Sequence, residues 1–287
     1  MNIRRRVRVA IVLGGLALSL SACDDGEKTR PSSSGGATPG PKVAEEKISE
    51  GWGELKLRFV YDGTAPAPKK LEITGSDTAI CSKHRPTDES LVVGADGGLA
   101  NVFVFLRPRR GEPVKVHSDY EQLVGRPVHL RNKGCAFTPH ALTLWTKQPL
   151  VIHNDDEIGH NTKADLSVND SFNQQIPAGS SIPKEFAKSE RGPNRFACSA
   201  HPWMGGFLLI RDNPYMGVSA PDGTLTIANI PSGHWDFIVW HERFDKLVEV
   251  ERNGHTELWR KGIARFAIKP GPSDTIEIKV DPKKYRR

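Results

Sequence analysis

From Trp52 to Val280 the chain never sustains a helical hydrophobic period. It advances in short runs that alternate or are rich in β-branched and aromatic residues. Residues 55–61 (LKLRFVY) alternate with period two, and Asp62-Gly63 closes them with a turn signal. Residues 100–106 (ANVFVFL) read as a buried strand, followed by 128–132, 141–145, 150–154, 180–186, 195–198 and 206–210. Strands at this spacing, punctuated by Gly, Pro and polar turns, predict an all-β chain built as a β-sandwich. There is no repeat at a fixed period.

The N-terminus reads as a targeting signal. Four Arg precede an apolar run from Val9 to Leu20, too short for a membrane span, and Leu20-Ser21-Ala22-Cys23 resembles a bacterial lipobox. The expectation is a signal peptide over 1–22, cleavage before Cys23 and lipidation of its thiol. Residues 23–50 then form a lipidated flexible tether containing PSSSGGATPGPK. The alternative is an ordinary signal peptide with a Cys near its cut site. The basic balance belongs mostly to this leader. The formal charge of +6 includes four Arg and no acid in 1–22, leaving 36 basic against 34 acidic residues. Nothing there calls for nucleic acid. Three cysteines follow Cys23: Cys81, Cys135 and Cys198. An odd number in an exported protein points to one pair and one special thiol. Cys81 is paired with Cys135 and Cys198 is left for metal, the alternative being three unpaired thiols.

Residues 213–242 hold a second signature. Asp222-Gly223 turns into an alternating run, and Ile230-Pro231-Ser232-Gly233 turns again into an aromatic one, 234–240. The stretch resembles the carboxypeptidase regulatory-like, transthyretin-like β-sandwich over about thirty residues. Further strands are expected at 247–252, 264–268 and 275–280. Two readings stand: 213–287 is a second small β unit after a domain spanning 51–212, or its strands complete the first sandwich.

The chemistry concentrates in 195–207 (RFACSAHPWMGGF), which places Cys198, His201 and Met204 three residues apart. A thiolate, an imidazole and a thioether on one tight turn are three of the four ligands of a blue-copper electron-transfer centre, which adds a second His. His160, in IGHNTKAD, is the favoured fourth ligand, because binding residues concentrate on loops carried by a rigid scaffold. His153 is the competitor, but it falls inside a predicted strand. The thioether favours copper over zinc, which prefers thiolate, imidazole and carboxylate. The bland alternative is a core Cys, a turn His and a core Met.

With its short C-x2-H-x2-M loop and the Pro after His201, the sequence resembles a cupredoxin, closer to amicyanin than to plastocyanin. A strand ending in Asn154, followed by a loop and His160-Asn161, is similar to the same family over roughly 125–212. The runs 88–107 and 132–144 resemble larger amicyanin-like bacterial proteins of the "methylamine utilization" type. The resemblance implies a cupredoxin-type Greek-key β-sandwich, with an N-terminal β extension inside 51–212. It also implies that Asn161 ties the two ligand segments together and helps organise the Cys198 thiolate.

Other chemistries lack their residues. There is no C-x-x-C-H, H-x-H, G-x-S-x-G or H-E-x-x-H, and position 194 is Asn where a dinuclear copper centre would want a second Cys. The expected protein is a membrane-anchored lipoprotein of the periplasm or cell envelope. It carries one type 1 copper and passes single electrons to a redox partner such as a cytochrome or dehydrogenase, as a carrier and not an enzyme. The alternative is an envelope binding module, or a copper storage or delivery protein, using the same site. His201 is expected at the exposed edge for electron exit. Trp203 and Pro202 are expected to form either a docking patch or a contact with the C-terminal unit.

Overall fold

Alternation leaves Leu55, Leu57 and Phe59 at most 2% exposed along the first strand, and the same logic builds every sheet that follows. The computed structural model describes residues 47–109 and 111–285. The signal peptide, the Cys23 lipidation and all but the end of the tether fall outside the described residues. Those described are all-β apart from short helical turns, including Thr78–Cys81. None of their helices is long and apolar enough to cross a membrane.

Two sheets enclose the region expected to hold metal. In one, Val128–Asn132 runs parallel to Leu150–Asn154, flanked by Phe137–Thr138 and Ser181–Lys184. In the other the order is Ala141–Trp145, Gly205–Arg211, Asn194–Ala197, His160–Ala164, Phe172–Ile176. Leu130, Ile152 and Phe137 of the first sheet pack against Leu144, Ile176, Phe196 and Ile210 of the second. Burying one such side chain contributes about 1.5–3 kcal/mol. Gly206 is required where the return strand passes Phe196. A Cβ there would lie 2.5 Å from the Phe196 ring and overlap the His140 carbonyl.

The remaining strands form a second two-sheet body. Trp52–Tyr61 lies between Thr224–Pro231 and Thr275–Val280, and Glu249–Arg252 and His255–Leu258 extend that sheet. Its companion runs Met216–Val218, Phe103–Leu106, Gly233–His241, the last also pairing with Asp245–Lys246 and Ile263–Ile268. Their shared core includes Phe59, Leu106, Phe237, Phe266 and Ile278. The strands within 52–106 pair with those of 213–287, so this body is discontinuous in sequence and the C-terminal strands build onto strands that lie before residue 212. Parallel pairing of Lys56–Tyr61 with 275–280 joins residues more than two hundred apart, which no local pattern announces. A small apolar cluster of Phe103, Phe105, Ala141 and Leu209 joins the two bodies.

Candidate metal centre

The seven residues 198–204 form the turn between Asn194–Ala197 and Gly205–Arg211, whose register closes at Ala197 opposite Gly205. Two backbone hydrogen bonds tighten it. Cys198 N–H donates to the Met204 carbonyl at 3.2 Å, and Met204 N–H donates to the His201 carbonyl at 2.9 Å. Asn194–Ala197 also pairs with His160–Ala164, through Phe196 with Ala164 and Ala197 with Lys163. That register sets Cys198 beside the start of the neighbouring strand. His160 therefore opens a strand and does not sit on a free loop. The loop before it is closed by buried Asn154, whose amide donates to the carbonyls of Ile158 and Ile176.

Three donors converge. His160 Nδ1 lies 2.9 Å from His201 Nδ1, and the Cys198 sulfur is 3.5 Å from the same His201 nitrogen. The ligand atoms of His160, Cys198 and His201 all fall within 4.8 Å of one another. All three residues are buried, and Met204, on the same turn, is 1% exposed. Cys198 is the free cysteine among the described residues, since Cys81 and Cys135 are joined as a disulfide. Cys135, Asp156 and His160 make a second close grouping, but the Cys135 sulfur is consumed by that bond. His153 is elsewhere: its strand turns the ring to the outer face, against His129.

Each imidazole is oriented by a carboxylate on its far nitrogen. His160 Nε2 is 2.9 Å from Asp156 and His201 Nε2 is 3.0 Å from Asp77. Asp156 in turn accepts the N–H groups of Gly134 and Cys135. Such partners fix ring orientation and tautomer. Neither acid was among the expected site residues. Asp156 had a signal, lying four residues before His160 in an acidic run, whereas Asp77 is more than a hundred residues from His201 with no local cue. Asn161 lies between the two segments. Its amide oxygen accepts the Ser199 N–H at 2.8 Å and sits 3.3 Å from the Cys198 sulfur, and its nitrogen donates to Asn173 and Ser199. Asn161→Ala leaves the buried Cys198 sulfur and the part-buried Ser199 N–H without this partner and should cost about 1–3 kcal/mol of stability in denaturant titration.

The electrostatics favour a thiolate. Burial alone would raise the Cys198 thiol, but His160 beside it and the backbone N–H groups of Asn161, His201 and Ala200 bring it down to about 6. Burial would likewise lower His160, yet Asp156 and the Cys198 sulfur raise it to about 9. Near neutral pH the pair is an imidazolium against a thiolate.

His201 does not form an exposed edge. It is 2% exposed, roofed by Asp77 from the segment that the Cys81–Cys135 disulfide clips down. Trp203 is half-buried and donates its indole N–H to the Cys135 carbonyl at 3.2 Å. Pro202 alone of the pair is exposed.

A buried thiolate, two imidazoles and a thioether on the adjoining turn fit a soft transition-metal ion. No family model matches the chain, and no curated protein sequence matches it. Solved structures give partial likenesses. A copper-containing nitrite reductase from Thermus scotoductus SA-01 is 21% identical, with a TM-score of 0.27, over 29% of this chain and 22% of that one. A reduced amicyanin variant is 14% identical, with a TM-score of 0.27, over 30% of this chain and 83% of that one. A purple cupredoxin from Nitrosopumilus maritimus is 20% identical, with a TM-score of 0.24, over 29% of this chain and 97% of that one. Likenesses at these scores decide nothing about the site, whose chemistry rests on its own geometry.

Proposed function

We propose that this chain is a cupredoxin-type protein that holds one copper ion and passes single electrons. The observation that carries the reading is the buried convergence of His160 Nδ1, His201 Nδ1 and Cys198 Sγ, with Met204 on the same turn. Copper, when bound, supplies a one-electron couple between two oxidation states. The protein's part is to forbid rearrangement. Asp156 and Asp77 lock the imidazoles, Asn161 and the turn's N–H groups hold the sulfur, and burial keeps water from the donors. Such a frame suits a carrier and not a catalyst. The signal peptide and lipobox-like Cys23 support a lipoprotein of the periplasm or cell envelope, exchanging electrons with a cytochrome or dehydrogenase.

The test is the copper-loaded mature chain. An intense visible thiolate-to-copper band with narrow copper hyperfine splitting, and reversible electron exchange with an added cytochrome, are expected. A colourless protein that ignores copper overturns the reading.

One observation favours a second reading, copper storage or delivery. A carrier benefits from a ligand edge open to its partner, and the Asp77 roof covers His201. Transfer of cuprous ion to an acceptor, without reversible electron exchange, would select that reading.

A further inference from the structure

The outer face of the sheet that carries Val128–Asn132 and Leu150–Asn154 holds a second pair of histidines. Strand alternation buries Leu130 and Ile152 on the inner face and turns His129 and His153 outward. The two strands are parallel, with His129 opposite Val151 and Arg131 opposite His153, so the histidines are diagonal neighbours. Their rings lie 5.0 Å apart, and His129 Nδ1 is 2.8 Å from His153 Nε2. Neither ring has another hydrogen-bond partner among the described residues. Asp155, the nearby acid, is engaged by Arg131 at 2.9 and 3.1 Å.

We propose that His129 and His153 form a second, surface site for a borderline divalent cation, cupric or zinc ion. Two imidazole nitrogens bound side by side to one ion, at about 2.0–2.1 Å each, stand about 2.9–3.4 Å apart for angles between a right angle and tetrahedral. The observed separation lies close to that span, and close to the 2.9 Å between His160 and His201. Without an ion, two ring nitrogens at this distance require one to donate to the other. His153 is accordingly held below the ordinary imidazole value, by partial burial first and then by the charges of Arg131 and His129. Imidazole donors without thiolate or carboxylate select copper, zinc and their neighbours over calcium or magnesium. The site is open on its solvent side, so water or a donor from another molecule completes the coordination. It shares no residue with the Cys198 centre and lies on the other face of the sheet from the core around that centre.

The test counts cations on the full mature chain at pH 7.5. Cupric ion should load two equivalents, the second giving an ordinary wide-hyperfine signal that is removed by a mild chelator. Cys198→Ser should retain that second ion, and should also bind one zinc ion, whatever becomes of the first site. His153→Ala and the milder His129→Gln should each lower zinc affinity in that background at least tenfold. If the Cys198→Ser chain binds neither cation, or if the histidine variants bind zinc as tightly as their parent, the proposal is wrong. Either outcome is separable from failure of the Cys198 centre, which is read from the visible band of the wild-type chain.

Discussion

Replacing Cys81 and Cys135 together by Ser should lower stability by about 4 kcal/mol and the melting temperature by about 8–16 °C. The two cysteines are 54 residues apart in sequence, so their bond removes a large loop-closure entropy from the unfolded chain. Both are fully buried in the core that also holds Cys198 and Met204. The same change should unroof the metal centre, because Asp77 sits four residues before Cys81 and reaches His201 only while that segment is held down. None of the four expected copper ligands is altered, so copper stoichiometry should stay the same while copper exchange with a chelator accelerates. Thermal unfolding and exchange kinetics check both halves. A variant that melts like its parent and releases copper no faster would show that the clip neither stabilises nor covers the site.

Copper affinity should rise about a hundredfold between pH 6.5 and pH 8.5. A copper ion needs a thiolate and neutral imidazoles, so it competes with every proton the donors hold. Between about 6 and about 9 the Cys198 thiol is already ionised, but His160 still carries its proton. One proton therefore leaves per ion, and affinity rises about tenfold per pH unit. Below about 6 the thiol is protonated as well, and the slope steepens. Above about 9 this dependence ends. A competition titration against a chelator of known pH behaviour measures the slope. Affinity that is flat between pH 6.5 and 8.5 would show that His160 carries no such proton. Asp156→Asn removes one of the two groups that raise His160 and should bring the upper end of that window down in pH.

Much of the site's immediate geometry was legible, because it is local. Cys198, His201 and Met204 need only one tight turn to come together, and a turn between two strands is what the flanking runs predicted. Most strands could be read from alternation. The strand Phe172–Ile176 (FNQQI) could not, since it carries few apolar residues and lies beside His160–Ala164. His160–Ala164 (HNTKA) is polar and carries no strand pattern, yet four of its five residues are buried by their neighbours. What stayed illegible is nonlocal. The capture of Trp52–Tyr61 by strands near the C-terminus and the reach of Asp77 to His201 depend on contacts across more than a hundred residues. Periodicity reports which face of an element is apolar, not which distant element will cover it.

The roof over His201 also bears on how an ion would reach the site. The segment carrying Asp77 packs through Ile73 and Cys81 against the core, and the disulfide to Cys135 fastens it across His201. If the centre holds copper as proposed, a chain whose Cys81 and Cys135 are still reduced should fill faster than one already oxidised, so the order of thiol oxidation and metal supply would set how quickly the site is occupied.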